Sequence, residues 1–194
     1  MKSLWVLLLF RRLPVVAEAQ RDESDVMKTL SIDVRPAERQ DAAAIAEAHR
    51  SSWQHAYAGL IPYRALTKMI ERRSETWWRK ATAGPATVLV ADVAGTIAGY
   101  TTVGLNRARA LPQEGEVYEI YMRPEYQGIG LGYTLFGEAR RLLKSLGCRG
   151  TVVWCLEESH HAVDFFRSNG GIDAVEGMED FDDIQLKKLG FIWN

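Results

Sequence analysis

The stretch Tyr121-Met122-Arg123-Pro124-Glu125-Tyr126-Gln127-Gly128-Ile129-Gly130-Leu131-Gly132 constrains the fold of this chain more than any other. An extended run ends at a proline, a glycine-rich turn follows, and a long helix is predicted to begin inside that turn, over Gly128 to Leu146. Leu131, Leu135, Ala139, Leu142, Leu143 and Leu146 recur at spacings of three and four, which makes one apolar face. Gly147 is the expected stop. Glycines let a backbone approach a ligand closely, and the unpaired N–H groups of a helix start attract anions. Three alternate glycines therefore predict a nest of amides converging on one point, with a diphosphate as its natural guest. Each glycine within a helix costs up to ~1 kcal/mol, which argues against a purely structural turn. Two other phosphate sites are excluded: no Gly-Lys-Ser/Thr follows Gly132, and Tyr133 stands where a dinucleotide fingerprint would need glycine.

The remaining sequence alternates short β-like runs with helical ones, the pattern of a layered α/β or α+β domain. Strands are predicted at Ser31–Arg35, Thr87–Asp92, Thr96–Val103, Glu116–Met122, Thr151–Leu156 and within Ile184–Trp193, with Ala94-Gly95 turning a hairpin. Helices are predicted at Ala37–Arg50, Glu71–Lys80 and His160–Ser168, with a helix end, turn and restart over Ser51–Tyr63. The length of 194 residues suits about one domain. Residues 27–194 are expected to form it, with 1–26 as an N-terminal extension. Leu4–Phe10 is a seven-residue apolar run cut by Arg11 and Arg12, and a span needs about 20. No membrane partner is expected. Lys plus Arg (24) balances Asp plus Glu (25), against a nucleic-acid partner, which needs clustered excess cations. Two cysteines, Cys148 and Cys155, make neither a disulfide framework nor a zinc set, so no metal is expected and a reducing, cytoplasmic location is the plain reading.

These residues resemble the GNAT superfamily of N-acetyltransferases. Pro124 to Gly132 is similar to its acetyl-CoA motif. Ala162, Phe165-Phe166 and Gly170-Gly171 after a strand are similar to its Asn-x-x-Ala-x-x-Phe-Tyr-x-x-x-Gly helix. Trp53-x-x-x-Tyr57-x-Gly59-Leu60-Ile61-Pro62 resembles the acceptor-side helices of a bacterial subgroup. The resemblance spans about Ser31 to Trp193. It implies a mixed, mostly antiparallel central sheet flanked by helices, with parallel strands four and five splayed apart around acetyl-CoA. It assigns pantetheine to the backbone of Ile120, Tyr121 and Met122, the diphosphate to the amides of Gln127, Gly128, Ile129, Gly130, Leu131 and Gly132, and the other arm of CoA to Ser159. It also implies direct attack of an amine on the thioester, and dimers are common in the family.

The amine must lose a proton before it attacks. Glu116 stands where some members place a glutamate base, and Glu119 is the runner-up. Phe166 replaces the tyrosine that many members use to protonate the departing thiolate, which leaves Tyr118, Tyr121, Tyr133 or unassisted departure. Trp53, Tyr57 and Trp77 are candidates for the floor of an acceptor pocket. The acidic run Glu179–Asp183 reads as a solvated loop able to attract a cation. Two functions stay open: an N-acetyltransferase acting on a small-molecule or peptide amine, and a CoA-binding sensor or interaction module without turnover, which Phe166 keeps in play.

Overall fold

The computed structural model describes residues 31–84, 87–108 and 110–194. The expected extension over residues 1–26 lies outside them. The described residues form seven strands, β1 (Ile32–Pro36), β2 (Thr87–Val93), β3 (Thr96–Leu105), β4 (Gly115–Met122), β5 (Thr151–Leu156), β6 (Ile172–Phe181) and β7 (Ile184–Trp193). They lie in one sheet in the order β1-β2-β3-β4-β5-β7-β6. Only β4 and β5 run parallel; every other neighbouring pair is antiparallel. The mixed, mostly antiparallel sheet expected from the sequence is thus present.

Helices α1 (Ala42–Tyr57), α2 (Tyr63–Arg72), α3 (Glu75–Ala81), α4 (Leu131–Ser145) and α5 (His160–Ser168) cover the sheet. One core joins α1 and α3 to β2 and β3 through Ile45, Trp78, Val90 and Tyr100. Another joins α4 and α5 to β4, β5 and β7 through Phe136, Val153, Phe166 and Phe191. The β2–β3 hairpin turns through Ala94 (φ 51°) and Gly95 (φ 86°), both left-handed, which matches the right-handed twist of the strands.

Several elements differ from expectation for local reasons. The first helix starts at Ala42, because the Ala37 amide still bonds to Val88 O beside the sheet and a 3₁₀ turn over Arg39–Asp41 intervenes. It runs on to Tyr57, since no glycine or proline occurs before Gly59. The helix expected over Glu71–Lys80 is two: α2 ends at Arg72, and Ser74 Oγ accepts from Trp77 N to cap α3. Helix α4 begins at Leu131, not Gly128, for Gly128 (φ 76°) and Gly130 (φ 87°) are left-handed and belong to the turn. The acidic run is no free loop: Glu179 to Phe181 close the edge strand β6, which was not foreseen, and Asp182-Asp183 turn into β7.

Arg35 ties β1 to the entry of α1. Its guanidinium donates to both Asp41 oxygens (2.7 and 3.0 Å) and to Asp92 on β2 (3.0 Å), and the Glu38 amide donates to Asp41 (2.7 Å). Arg35 first, then the Glu38 amide, hold the Asp41 carboxyl below its ordinary range against the cost of burial. A carboxyl whose folded pKa is lowered contributes stability that is complete above the unfolded pKa and fades as pH falls through the folded one. Asp41→Asn is therefore expected to cost about 2–3 kcal/mol at pH 7 in urea unfolding. The gap to wild type should close in strong acid; a constant gap would show that charge is not the cause.

Candidate active site

Strands β4 and β5 pair at only three positions, Gly115 with Thr151, Glu116 with Val152 and Val117 with Val153. Beyond Val117 the two part, so among the described residues the stretch of β4 holding Ile120, Tyr121 and Met122 has no strand partner on its β5 side. Toward β3 the register slips: Thr102 faces Glu119 while Val103 faces Val117, leaving Tyr118 as the extra residue of a β-bulge. Strict alternation would put residues 116 and 119 on opposite faces. The bulge brings Glu116, Tyr118, Glu119 and Tyr121 together along one cavity of about 580 Å³. Gly104 makes room for this, since a Cβ there would sit 2.4 Å from the Tyr118 hydroxyl. Trp53, Tyr57 and Ile61 on the α1 side and Trp154, Leu156 and Phe181 on the β5–β6 side complete the walls.

The two carboxylates are held differently. Glu116, only 3% exposed, accepts from the Arg107 amide (2.8 Å), from Nε at both oxygens (3.2 Å each) and from Nη2 (2.6 Å). Those contacts fill the roughly four lone-pair sites of a carboxylate. Glu119 accepts from Arg73 Nη2 at one oxygen and from the Tyr100 hydroxyl at the other (3.1 Å), which leaves lone pairs open. Burial pushes the Glu119 carboxyl above its ordinary range, and Arg73, the Tyr100 bond and Arg107 oppose this only in part. Arg73 sits in the break between α2 and α3, stacked 3.9 Å from the Trp77 ring. Arg73 also lines a second cavity of about 550 Å³ between α1 and α2.

The remaining expected residues fall around this cavity. Tyr118 donates to Leu105 O (2.7 Å) under the Arg107 guanidinium, and Tyr121 shares a hydrogen bond with Tyr57 (2.6 Å). Tyr133 lies outside it, donating to Ser168 O (2.6 Å), and Trp77 is not among its lining residues. Phe166 is buried against Phe136, Phe191 and Trp193. Ser159 is the N-cap residue of α5. In the turn after Met122, Gln127 Nε2 donates to Met122 O (3.0 Å) and pins the loop to the strand. The first bond of α4 runs from Thr134 N to Gly130 O, so the amides just before it have no intrahelical acceptor. A Cβ at Gly128 or Gly130 would meet no atom within 4 Å, so the space above the turn is open. Sequence reasoning missed Arg73, Tyr100, Arg107 and His49, whose partners are distant in the chain. Among the described residues no group of three or more His, Cys, Asp or Glu could hold a metal ion, and no helix is long and apolar enough to cross a membrane.

The profile of the acetyltransferase (GNAT) family matches residues 43–170, and the chain belongs to that family. It is 26% identical over 162 residues to the uncharacterised N-acetyltransferase YuaI of Bacillus subtilis, covering 84% of this chain and 92% of that protein. It is 25% identical over 160 residues to a spermidine N(1)-acetyltransferase of Thermoplasma acidophilum, covering 82% and 98%. The crystal structure of the PaiA N-acetyltransferase of Thermoplasma acidophilum in complex with coenzyme A has the same fold. Its TM-score is 0.66 at 22% identity, over 82% of this chain and 98% of that one.

Proposed function

We propose that this acetyltransferase moves the acetyl group of acetyl-CoA onto a primary amine borne by an aliphatic cation, with Glu119 as the base. The observation that carries this reading is the cavity at the parting of β4 and β5, where Glu119 faces aromatic walls. CoA would lie in the parting, its diphosphate on the amides of residues 127–132 and its pantetheine along Ile120–Met122, with Ser159 beside the other arm. An amine nitrogen attacks the thioester carbon once Glu119 has taken its proton. The carbon–sulfur bond then breaks and CoA leaves as the thiolate. A backbone N–H near Met122 would polarise the thioester carbonyl.

The aromatic walls bear on the acceptor. Trp53, Tyr57 and Tyr121 line the cavity with aromatic rings, a ring type that attracts alkylammonium groups by about 0.5–2 kcal/mol, while Tyr118 and Trp154 already carry Arg107 and Lys188 over a face (4.0 and 5.1 Å). The three carboxylates of the lining are each paired with a cation, Glu116 with Arg107, Glu119 with Arg73 and Glu179 with Lys188, so neither lining cation is left free among the described residues. A polyamine fits this lining, and it is the acceptor named for the Thermoplasma relative. Thiol release from acetyl-CoA should be fastest with diamines and polyamines and at least ~10-fold slower with amino acids, whose carboxylate would enter beside three carboxylates and find both lining cations already paired. The reverse order would overturn the acceptor assignment.

Phe166 supports a second reading, a CoA-binding module without turnover, because the ring has no proton to give and sits within the core. Binding of CoA with no thiol release across the whole amine panel would establish it. Tyr118 is a cavity phenol able to serve as acid once its hydroxyl turns from Leu105 O.

A further inference from the structure

His49 has no part in the chemistry above, yet it is a fully buried histidine on α1 joined to the cavity by hydrogen bonds. Its Nδ1 lies 2.7 Å from the Tyr100 hydroxyl, which lies 3.1 Å from Glu119 Oε2. Among the described residues its Nε2 is buried with no partner, beside the rings of Trp53 and Trp78. Burial, then repulsion from Arg73, drives the imidazole pKa down to about 3, so it is neutral and carries one N–H. Burial pushes the Tyr100 phenol well above its ordinary value, so it keeps its single proton.

The proton count decides the direction of every bond. An ionised Glu119 only accepts, so the Tyr100 proton must point to it. The phenol oxygen then faces Nδ1 with lone pairs alone, and the 2.7 Å contact is a hydrogen bond only if Nδ1 holds the imidazole proton. The opposite tautomer would bury an unpaired Nε2–H and leave Glu119 facing the phenol oxygen lone pair to lone pair. It is compatible only with a protonated Glu119.

We propose that His49 and Tyr100 are positioning residues for Glu119: a one-way chain of donors, His49 Nδ1–H to Tyr100 and Tyr100 O–H to Glu119, keeps the carboxylate ionised and aimed into the cavity. The kinetic part rests on Glu119 being the base; the tautomer does not. The groups facing Glu119 are Arg73 from the α2–α3 break, Tyr100 from β3, Arg107 from the loop after β3, and the Tyr57 and Tyr121 hydroxyls from α1 and β4. The groups around His49 are Tyr100 and Arg73.

The test starts from the full chain labelled with ¹⁵N-histidine. A protonated Nδ1 and bare Nε2 for His49, unchanged between pH 5 and 9, is the expected spectrum; the Nε2–H tautomer, the form favoured in water, overturns the proposal. Carboxyl-¹³C glutamate spectra then follow Glu119 without any turnover. Tyr100→Phe should raise its titration midpoint by about one pH unit or more, and an unmoved midpoint overturns the chain. If an acceptor is found, His49→Leu should move the acid limb of kcat/KM upward with the KM for acetyl-CoA unchanged. His49→Asn, whose amide can donate in place of Nδ1–H, should bring the limb back. A limb that His49→Leu leaves in place refutes the role of His49, and if that variant does not fold, the wild-type spectrum and His49→Asn still decide. Absence of turnover with every amine would count against the proposed function, while the two spectra continue to judge the donor chain.

Discussion

Gly130→Glu is expected to weaken CoA binding at least ~100-fold in calorimetry while the protein stays folded. Two effects contribute, and a companion variant separates them. Gly130 has φ 87°, a conformation that costs an L-residue about 1–2 kcal/mol, and Gly130→Ala bears that cost alone. The alanine Cβ meets no atom within 4 Å beyond its chain neighbours, so no steric term is added, and Gly130→Ala should lose at most ~30-fold in affinity. Glutamate adds a negative charge a few ångströms from where the diphosphate would sit. One pair of like charges at about 4 Å opposes binding by ~1 kcal/mol in water and ~4 kcal/mol near a protein surface. Since 1.4 kcal/mol is tenfold, the further loss of about five- to several-hundred-fold belongs to electrostatics. Raised salt should therefore recover part of the glutamate defect and little of the alanine one. Equal affinity in the two variants would remove the diphosphate from this turn.

The turn is readable in the sequence because its constraint is local. Proline ends the strand, only glycine enters the left-handed region without strain, and the leucines of α4 mark the helix by their spacing. The hairpin at Ala94-Gly95 and the bounds of β5, α5 and β7 are legible on the same grounds. Beyond local sterics the sequence falls silent. Strand β6 carries Asp173, Glu176, Glu179 and Asp180, residues poor in strands, and it exists because it lies on the sheet edge and pairs with β7. The α2–α3 break depends on Ser74 capturing the Trp77 amide, and uninterrupted helical spacing hides it. The candidate site is legible in its cofactor half and obscure in its acceptor half. Glu116 and Glu119 share a face only through the bulge at Tyr118, whose sole trace in the chain is Gly104 beneath the phenol. Arg107, Arg73 and Tyr100 sort the two carboxylates into different roles, and they reach them across 9, 46 and 19 residues of sequence.

That sorting leads to the other large effect. Glu119→Gln should lower kcat/KM with a polyamine acceptor by ~10²–10⁴, the usual contribution of a general base, without changing CoA affinity. Glu116→Gln should cost less than tenfold, because a carboxylate whose lone pairs are filled by Arg107 has none to offer an ammonium proton. Unfolding does not explain the expected loss in Glu119→Gln: the amide keeps the shape of the carboxylate, and Arg73, 29% exposed in its side chain, retains water and its stacking on Trp77. The pH profile carries the sign. Burial raises the Glu119 carboxyl above the ordinary value of about 4.3, and only its ionised form accepts a proton, so wild-type kcat/KM should fall as pH drops through a limb lying above that value. Glu119→Gln should lose this limb and keep only a rise at alkaline pH, where the free amine becomes abundant without help. If Glu116→Gln abolishes both turnover and limb while Glu119→Gln leaves them in place, the base is Glu116. The Arg107 pair must then open when the acceptor binds, and the lone pairs counted in the free protein do not decide which carboxylate works.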